Sequence, residues 1–268
     1  MVKQCVWLLL IVVIVVGCNR SPYYATNKTY KKQATTFAKV LKQYPLADTV
    51  FGNPDFVGTT NFGMRKANFV IIHHTAQNSC EQTLKTFTTT KSQVSAHYVI
   101  CKDGTVHHML NDYLRANHAG VSKWGNNIDI NSSSIGIEID NNGFEKFTDE
   151  QINSLLTVLA NLKKAYNIPT ANFIGHSDIA PSRKVDPNIY FPWKMLAQKG
   201  FGLWQDDVIT ANVDSNFNHL QALRIIGYDV KDTSAAIRSF KRHFMQDSTK
   251  KINEADKAVL QNLYKKYM

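Results

Sequence analysis

Apolar residues follow three rhythms along this chain, and each rhythm predicts a different element. The run ANFVIIHHT, residues 67–75, is unbroken and rich in β-branched side chains. Such a run predicts a central strand covered on both faces. SSIGIEIDNNG alternates instead, with Ile135, Ile137 and Ile139 on one face and Gly136, Glu138 and Asp140 on the other. The helical rhythm is clearest in TDEQINSLLTVLANLKKAYNI, where Leu155, Leu156, Leu159 and Leu162 share a stripe. Thr148 and Gln151 predict a capping box at its start, and Pro169 is expected to stop it. SCEQTLKTFTTT predicts a shorter helix opened by Ser79 with Gln82 three residues on. In AHYVICKDGTVHHML, an Asp-Gly pair between two apolar runs predicts a hairpin. ANFIGH is a further strand, and FPWKMLAQKG a short helix closed by Gly200.

Strands interleaved with helices predict an α/β (α+β) domain, a mixed central sheet flanked by helices. It spans residues 60–203. From there the rhythm is helical only, in NFNHLQALRIIGYDV, SAAIRSFKRHFM and EADKAVLQNLYKKYM. Residues 204–268 are therefore expected to form a separate small all-α module.

A chain of 268 residues with 44% hydrophobic content has room for these two globular parts. The formal charge of +10 comes from basic residues scattered among acids rather than massed in a block. Nucleic acid is accordingly not expected as a partner. The start changes the picture more. MVKQ is short and basic, CVWLLLIVVIVVG is apolar but short for a membrane span, and VVGC closes the run at Cys18. VVGC resembles a bacterial lipobox, the other reading being a plain anchor helix. The resemblance implies a signal peptide over residues 1–17, lipid on Cys18 and a tether over residues 18–59. Asn19 after the cysteine resembles lipoproteins of the outer membrane facing the periplasm. Cys80 and Cys101 then remain in the exported part, either paired or as two buried thiols.

The segment HSDIAPSRKVDP, residues 176–187, carries the most chemistry. His176 is expected at the carboxyl end of a strand, where α/β active sites gather. Pro187 favours an extended Asp186, so Lys184 and Asp186 point the same way. A catalytic zinc takes three N or O ligands and keeps a position open. His176 and Asp186 supply two, and either His73 or His74 could supply the third, since neighbours on a strand face opposite ways.

Together VIIHHTA, VSAHYVI, DGTVHHML, NHAG, SSIGIEIDNNG and HSDIAPSRKVDP resemble, in order, the zinc-dependent N-acetylmuramoyl-L-alanine amidases, the superfamily of amidase-type phage lysozymes and peptidoglycan recognition proteins. The resemblance covers about residues 65–200. It implies His73, His176 and Asp186 as zinc ligands, with Glu138 and Lys184 as the catalytic glutamate and lysine. His118 of NHAG matches a family histidine and has either a substrate contact or a loop role; Asn117 stands where the family often has an aromatic residue. His97 is expected to support the site, His74 to lie in the core or behind the ligands, and His107 and His108 to be structural or solvent-facing. Membrane-anchored members resemble this chain further in their lipobox and in a peptidoglycan-binding-like helical module.

The implied activity is hydrolysis of the amide between N-acetylmuramic acid, or its 1,6-anhydro form, and L-alanine in peptidoglycan or muropeptides. Zinc is the implied cofactor, a lipid anchor the membrane contact, and a monomer the expected state. Some relatives bind peptidoglycan without cleaving it after losing a ligand. Every ligand position and Glu138 are filled here, which favours an enzyme over a binding protein or a wall tether.

Overall fold

The computed structural model describes residues 21–42, 59–206 and 213–268. The lipobox-like VVGC, Cys18 and the expected signal segment lie outside the described residues. The chain forms two compact units, Met1–Asn61 and Phe62–Met268. In the first, the described element is helix α1, Tyr24–Leu41. Tyr23, Tyr30, Ala34, Phe37 and Leu41 recur at helical spacing, with Lys28, Lys31, Lys32 and Lys39 on other faces. None of its residues is buried. Part of the segment 18–59 expected as a tether is thus helix, about 27 Å long at ~1.5 Å per residue. No helix among the described residues is long and apolar enough to cross a membrane.

The second unit runs β1 (Phe69–His74), α2 (Cys80–Thr88), β2 (Tyr98–Ile100), β3 (Val106–His108), α3 (Ile130–Ser133), β4 (Ser134–Ile139), α4 (Asp149–Tyr166), β5 (Phe173–Gly175), α5 (His176–Ile179), α6 (Trp193–Gln198), α7 (His219–Ile226), α8 (Thr233–Met245) and α9 (Glu254–Tyr267). Its sheet has the order β3-β2-β4-β1-β5. The β2–β3 hairpin is antiparallel and every other pairing is parallel. β1 is an interior strand between β4 and β5, buried on both faces as its unbroken apolar run requires, and β4 holds the middle of the sheet.

Alternation along the strands builds two cores. Ile72, Ile100, Ile135, Ile137 and Ile139 pack with Leu155, Leu159 and Leu162 of α4 and with Trp193 and Leu196 of α6. On the opposite face, Ile71 and Ile174 join Ile179 and Trp124 in a cluster with Leu223, Ile226, Phe240, Phe244, Leu260 and Leu263. The three C-terminal helices occupy the expected segments, yet they are not a separate module. Their apolar faces complete a core shared with the sheet, and Gly227, at φ 136°, lies so close to the Trp124 ring that no side chain fits there.

Caps explain the helix ends. Thr148 and Gln151 make the full capping box of α4, which stops at Asn167 in the left-handed conformation, φ 51°, two residues before Pro169. Ser79 accepts from Gln82 N at 3.2 Å, but the Gln82 side chain turns to Asn78 N, so the box at α2 is half formed. Cys80 and Cys101 form a disulfide across a Cα separation of 5.3 Å, which closes the alternative of two free thiols. It joins the first turn of α2 to the residue after β2. The stretch after β5 begins with the single turn α5 before becoming loop.

Candidate active site

Sheet register sets the first two groups side by side. His73 of β1 is the Cα partner of Glu138 on β4, and both point to the face opposite α4. His176 follows β5, the other neighbour of β1, at once. The loop then returns, held by Ser177 N donating to Asp186 O at 2.7 Å, and the Asp186–Pro187 peptide is cis.

These elements bring three buried groups to one point. His73 Nδ1 is 2.8 Å from His176 Nδ1 and 3.1 Å from Asp186 Oδ2, and His176 Nδ1 is 2.9 Å from Asp186 Oδ2. All three donor atoms lie within 4.8 Å of one another. His74 points to the other side of β1 and packs against Gly143.

The hydrogen bonds behind this cluster dictate where the protons are. His176 Nε2 faces Ala119 O at 3.1 Å, and a carbonyl only accepts, so Nε2 carries the proton and Nδ1 a lone pair. For His73 the logic runs through two further residues. Ser134 Oγ donates to Ile130 O at 2.6 Å, so it accepts from His118 Nε2 at 3.1 Å. His118 Nδ1 must then accept from His73 Nε2 at 3.1 Å, leaving the His73 Nδ1 lone pair aimed at the cluster. Two imidazole lone pairs and a carboxylate oxygen thus converge with no proton assigned between them. That is the donor set of a cation site, with N and O chemistry that suits zinc.

Electrostatics agree. Burial, then the neighbouring His176, pushes the His73 imidazole down to about 4. Burial opposes ionisation of Asp186, but the adjoining imidazoles, His176 before His73, outweigh it and hold the carboxyl well below its usual range. His118 is held well below its ordinary value by burial and then by His73. Glu138 Oε1 stands 4.0 Å from His73 Nδ1, while its Oε2 is buried with no hydrogen-bond partner among the described residues. Burial and the Asp186 charge raise the Glu138 carboxyl well above its usual value, with Lys184 pulling the other way. Glu138, Lys184, Asp186 and His176 line one cavity of about 400 Å³, together with His118 and Asn117.

His118 is largely buried behind His73, its backbone N–H and that of Ala119 both donating to Asn131 Oδ1 at 3.0 and 2.9 Å. His97 lies beneath it, accepting from Gly136 N at 3.1 Å and donating from Nε2 to Leu114 O at 3.0 Å. His108 pairs with Asp112 at 3.2 Å on the hairpin, away from the cluster. Ser134 and Asn131 escape sequence reasoning. A serine in a strand and an asparagine in a short helix carry no local mark of what they hold.

The sequence profile of the family described as N-acetylmuramoyl-L-alanine amidase matches residues 63–189. N-acetylmuramoyl-L-alanine amidase AmiD of Escherichia coli K12 is 32% identical over 238 residues, covering 74% of this chain and 82% of that protein. The 1,6-anhydro-N-acetylmuramyl-L-alanine amidase AmpD of Haemophilus influenzae is 39% identical over 103 residues, 38% of this chain and 56% of that one. Among solved structures, E. coli AmiD with anhydro-N-acetylmuramic acid-L-Ala-D-γ-Glu-L-Lys superposes with a TM-score of 0.69 at 27% identity, covering 78% of this chain and 93% of that one. AmpDh3 of Pseudomonas aeruginosa with anhydromuramic pentapeptide gives 0.70 at 29% identity, covering 79% and 96%.

Proposed function

The chain belongs to the N-acetylmuramoyl-L-alanine amidase family, and from that premise we propose how its own residues do the work of a zinc amidase. It hydrolyses the amide joining N-acetylmuramic acid, or the 1,6-anhydro sugar, to L-alanine in peptidoglycan or muropeptides. The observation that carries the mechanism is the convergence of His73 Nδ1, His176 Nδ1 and Asp186 Oδ2 beside the unpaired Oε2 of Glu138.

Those three atoms would hold zinc, which supplies a Lewis acid for the carbonyl and acidifies water. Glu138 takes the proton of the attacking water at Oε2, where a raised carboxyl pKa suits a group that must then give the proton up. The same oxygen delivers it to the L-alanine nitrogen as the amide breaks. Lys184 offers its ammonium to the carbonyl oxygen as negative charge grows there. The protonated Nε2 atoms of His73 and His176, fixed by His118 and Ala119 O, keep both rings from turning. A half-buried cavity of about 400 Å³ is of a size for one sugar–peptide junction.

The site belongs outside the cytoplasm on this reading. Support comes from the lipobox-like VVGC before Asn19 and from the Cys80–Cys101 disulfide, which suits an oxidising compartment. Lipid on Cys18 would tie the enzyme to the outer membrane, facing the periplasm. Chelator treatment should abolish hydrolysis and zinc restore it, with mass spectrometry of digests from sacculi and from anhydromuropeptides reading the product. Full activity in metal-free protein would overturn the zinc reading. Labelling with a fatty acid that marks wild type and Cys18→Ala equally would overturn the anchor.

A further inference from the structure

Residues 176–187 carry His176, Lys184 and Asp186, yet little regular structure holds them. After the one turn of α5, the segment has turn bonds from Arg183 N and Lys184 N to Ala180 O, at 3.0 and 2.9 Å, and the Ser177–Asp186 tie. Carbonyls in such a stretch need partners from elsewhere. They find them on α8. Arg238 Nη2 donates to Pro181 O at 2.9 Å, Ser239 Oγ to Ser177 O at 2.6 Å and Arg242 Nη2 to Val185 O at 2.7 Å. His243 Nδ1 donates to Asp178 Oδ2 at 2.7 Å. Positions 238, 239, 242 and 243 form one helix face, so a single rigid element grips the segment along its length.

The grip is fixed at both ends. Asp178 Oδ2 also accepts from Gly175 N at 2.7 Å, and Oδ1 accepts from Tyr228 Oη at 2.8 Å, which ties the end of β5 to the C-terminal helices. The His243 ring stacks on Trp193 of α6 with centroids 3.9 Å apart. Arg242 acts nearest the chemistry, since Val185 lies between Lys184 and Asp186 in the chain. Its guanidinium also bonds Ser248 Oγ at 2.8 Å, so it is itself held in place.

We infer that α8 belongs to the catalytic apparatus, with Arg242 as a positioning residue that sets where Lys184 and Asp186 stand, assisted by Arg238, Ser239 and His243. The inference rests on the roles given above to those two residues. It gives the C-terminal helices a task in the reaction itself, apart from any hold on the wall. Charge-assisted bonds to a backbone carbonyl are short and directional, and a catalytic group displaced by about 1 Å loses on the order of 100-fold in rate.

The test uses the full chain with Arg242→Ala, Arg242→Lys and Ser239→Ala. Arg242 is half-buried, so water can take over Val185 O when it is removed. Zinc affinity by chelator competition, kcat and KM on an anhydromuramoyl tripeptide, and the thermal midpoint are measured for each. Arg242→Ala should lose about tenfold or more in both kcat and zinc affinity, in the ~10–100-fold range of residues that orient ligands, with KM within about twofold. Arg242→Lys, which keeps the charge and a donor, should recover much of that. On a Lys184→Ala background the kcat loss should shrink to under about threefold, because the two residues act as a unit. Equal losses on both backgrounds, or kcat and zinc affinity within about twofold of wild type, would overturn the inference. If Arg242→Ala does not fold, Ser239→Ala is judged by the same readouts. Wild-type protein that binds zinc but leaves the tripeptide intact would instead refute the proposed substrate.

Discussion

Replacing Gly136 by alanine adds one methyl group at the back of the ligand cluster. Gly136 sits in β4 with its open side under the His118 ring, and an added Cβ would stand 2.6 Å from His118 Cδ2 and 2.7 Å from Nδ1. Carbon contacts settle at about 3.5–4.0 Å, so the ring must move by about 1 Å. It has little freedom to retreat, because Nε2 is tied to Ser134 Oγ at 3.1 Å and the backbone to Asn131 Oδ1 at 3.0 Å. The push therefore reaches His73 Nε2, 3.1 Å away from His118 Nδ1. Overpacking costs about 1–3 kcal/mol, offset by about 0.5–1 kcal/mol for the stiffer unfolded chain, so the protein should still fold. Catalysis should suffer more, by on the order of 100-fold for a ligand ring displaced that far. Thermal unfolding, zinc content and kcat on a muropeptide separate the two effects. Adding His118→Ala to Gly136→Ala should restore stability without restoring activity, since the His73 support stays lost. A folded Gly136→Ala protein with zinc and kcat within about threefold of wild type would refute the chain of contacts from Gly136 to His73.

Glu138→Gln should keep its metal while turnover falls by about 10²–10⁴-fold, and a variant that loses zinc instead would show that Glu138 had been given the wrong role. Replacing Cys80 and Cys101 together by serine opens a loop with a sequence separation of 21; urea unfolding should register a loss of about 3 kcal/mol, and a loss below about 1 kcal/mol would count against the staple. Burial holds His97 down to about 4 against an ordinary 6.5, so its contribution to stability is complete above pH 6.5 and is lost as pH falls from 6.5 through about 4. Unfolding free energies measured across that window should fall by up to about 1.4 kcal/mol per pH unit from this group. His97→Gln should flatten the decline, and an unchanged slope would assign the sensitivity elsewhere.

Much of the frame is legible in the sequence because it follows from local rules. The unbroken run through Val70–Ile72 marks a strand buried on both faces, and the alternation of Ile135, Ile137 and Ile139 separates the core from the face that carries Glu138. Pairing between strands far apart in the chain is another matter. That His73 meets Glu138 across β1 and β4 depends on a parallel register that no short segment encodes. The Cys80–Cys101 bond stays open for the same reason, since the distance between two Cα atoms is a tertiary fact. α1 escapes a reading of its neighbourhood as tether, although its apolar spacing is helical. In α8 the amphipathic pattern announces a helix but not what it faces. Arg238 and Arg242 look like solvent-facing cations in one dimension, and their carbonyl partners come from a segment some 57 residues earlier.

Glu138, His73 and His176 owe their mutual placement to β4, β1 and β5, three adjacent parallel strands bonded along their backbones. The walls of the cavity, by contrast, come largely from connecting segments around Gln77, Val94, Asn117 and Arg183. Reactivity and selectivity are therefore stored in different parts of the molecule. Insertions or exchanges in the connections can redraw which stem peptides and sugars are admitted while the reacting groups keep their separations. A lineage built on this scaffold can diversify its diet of wall fragments without passing through an inactive ancestor.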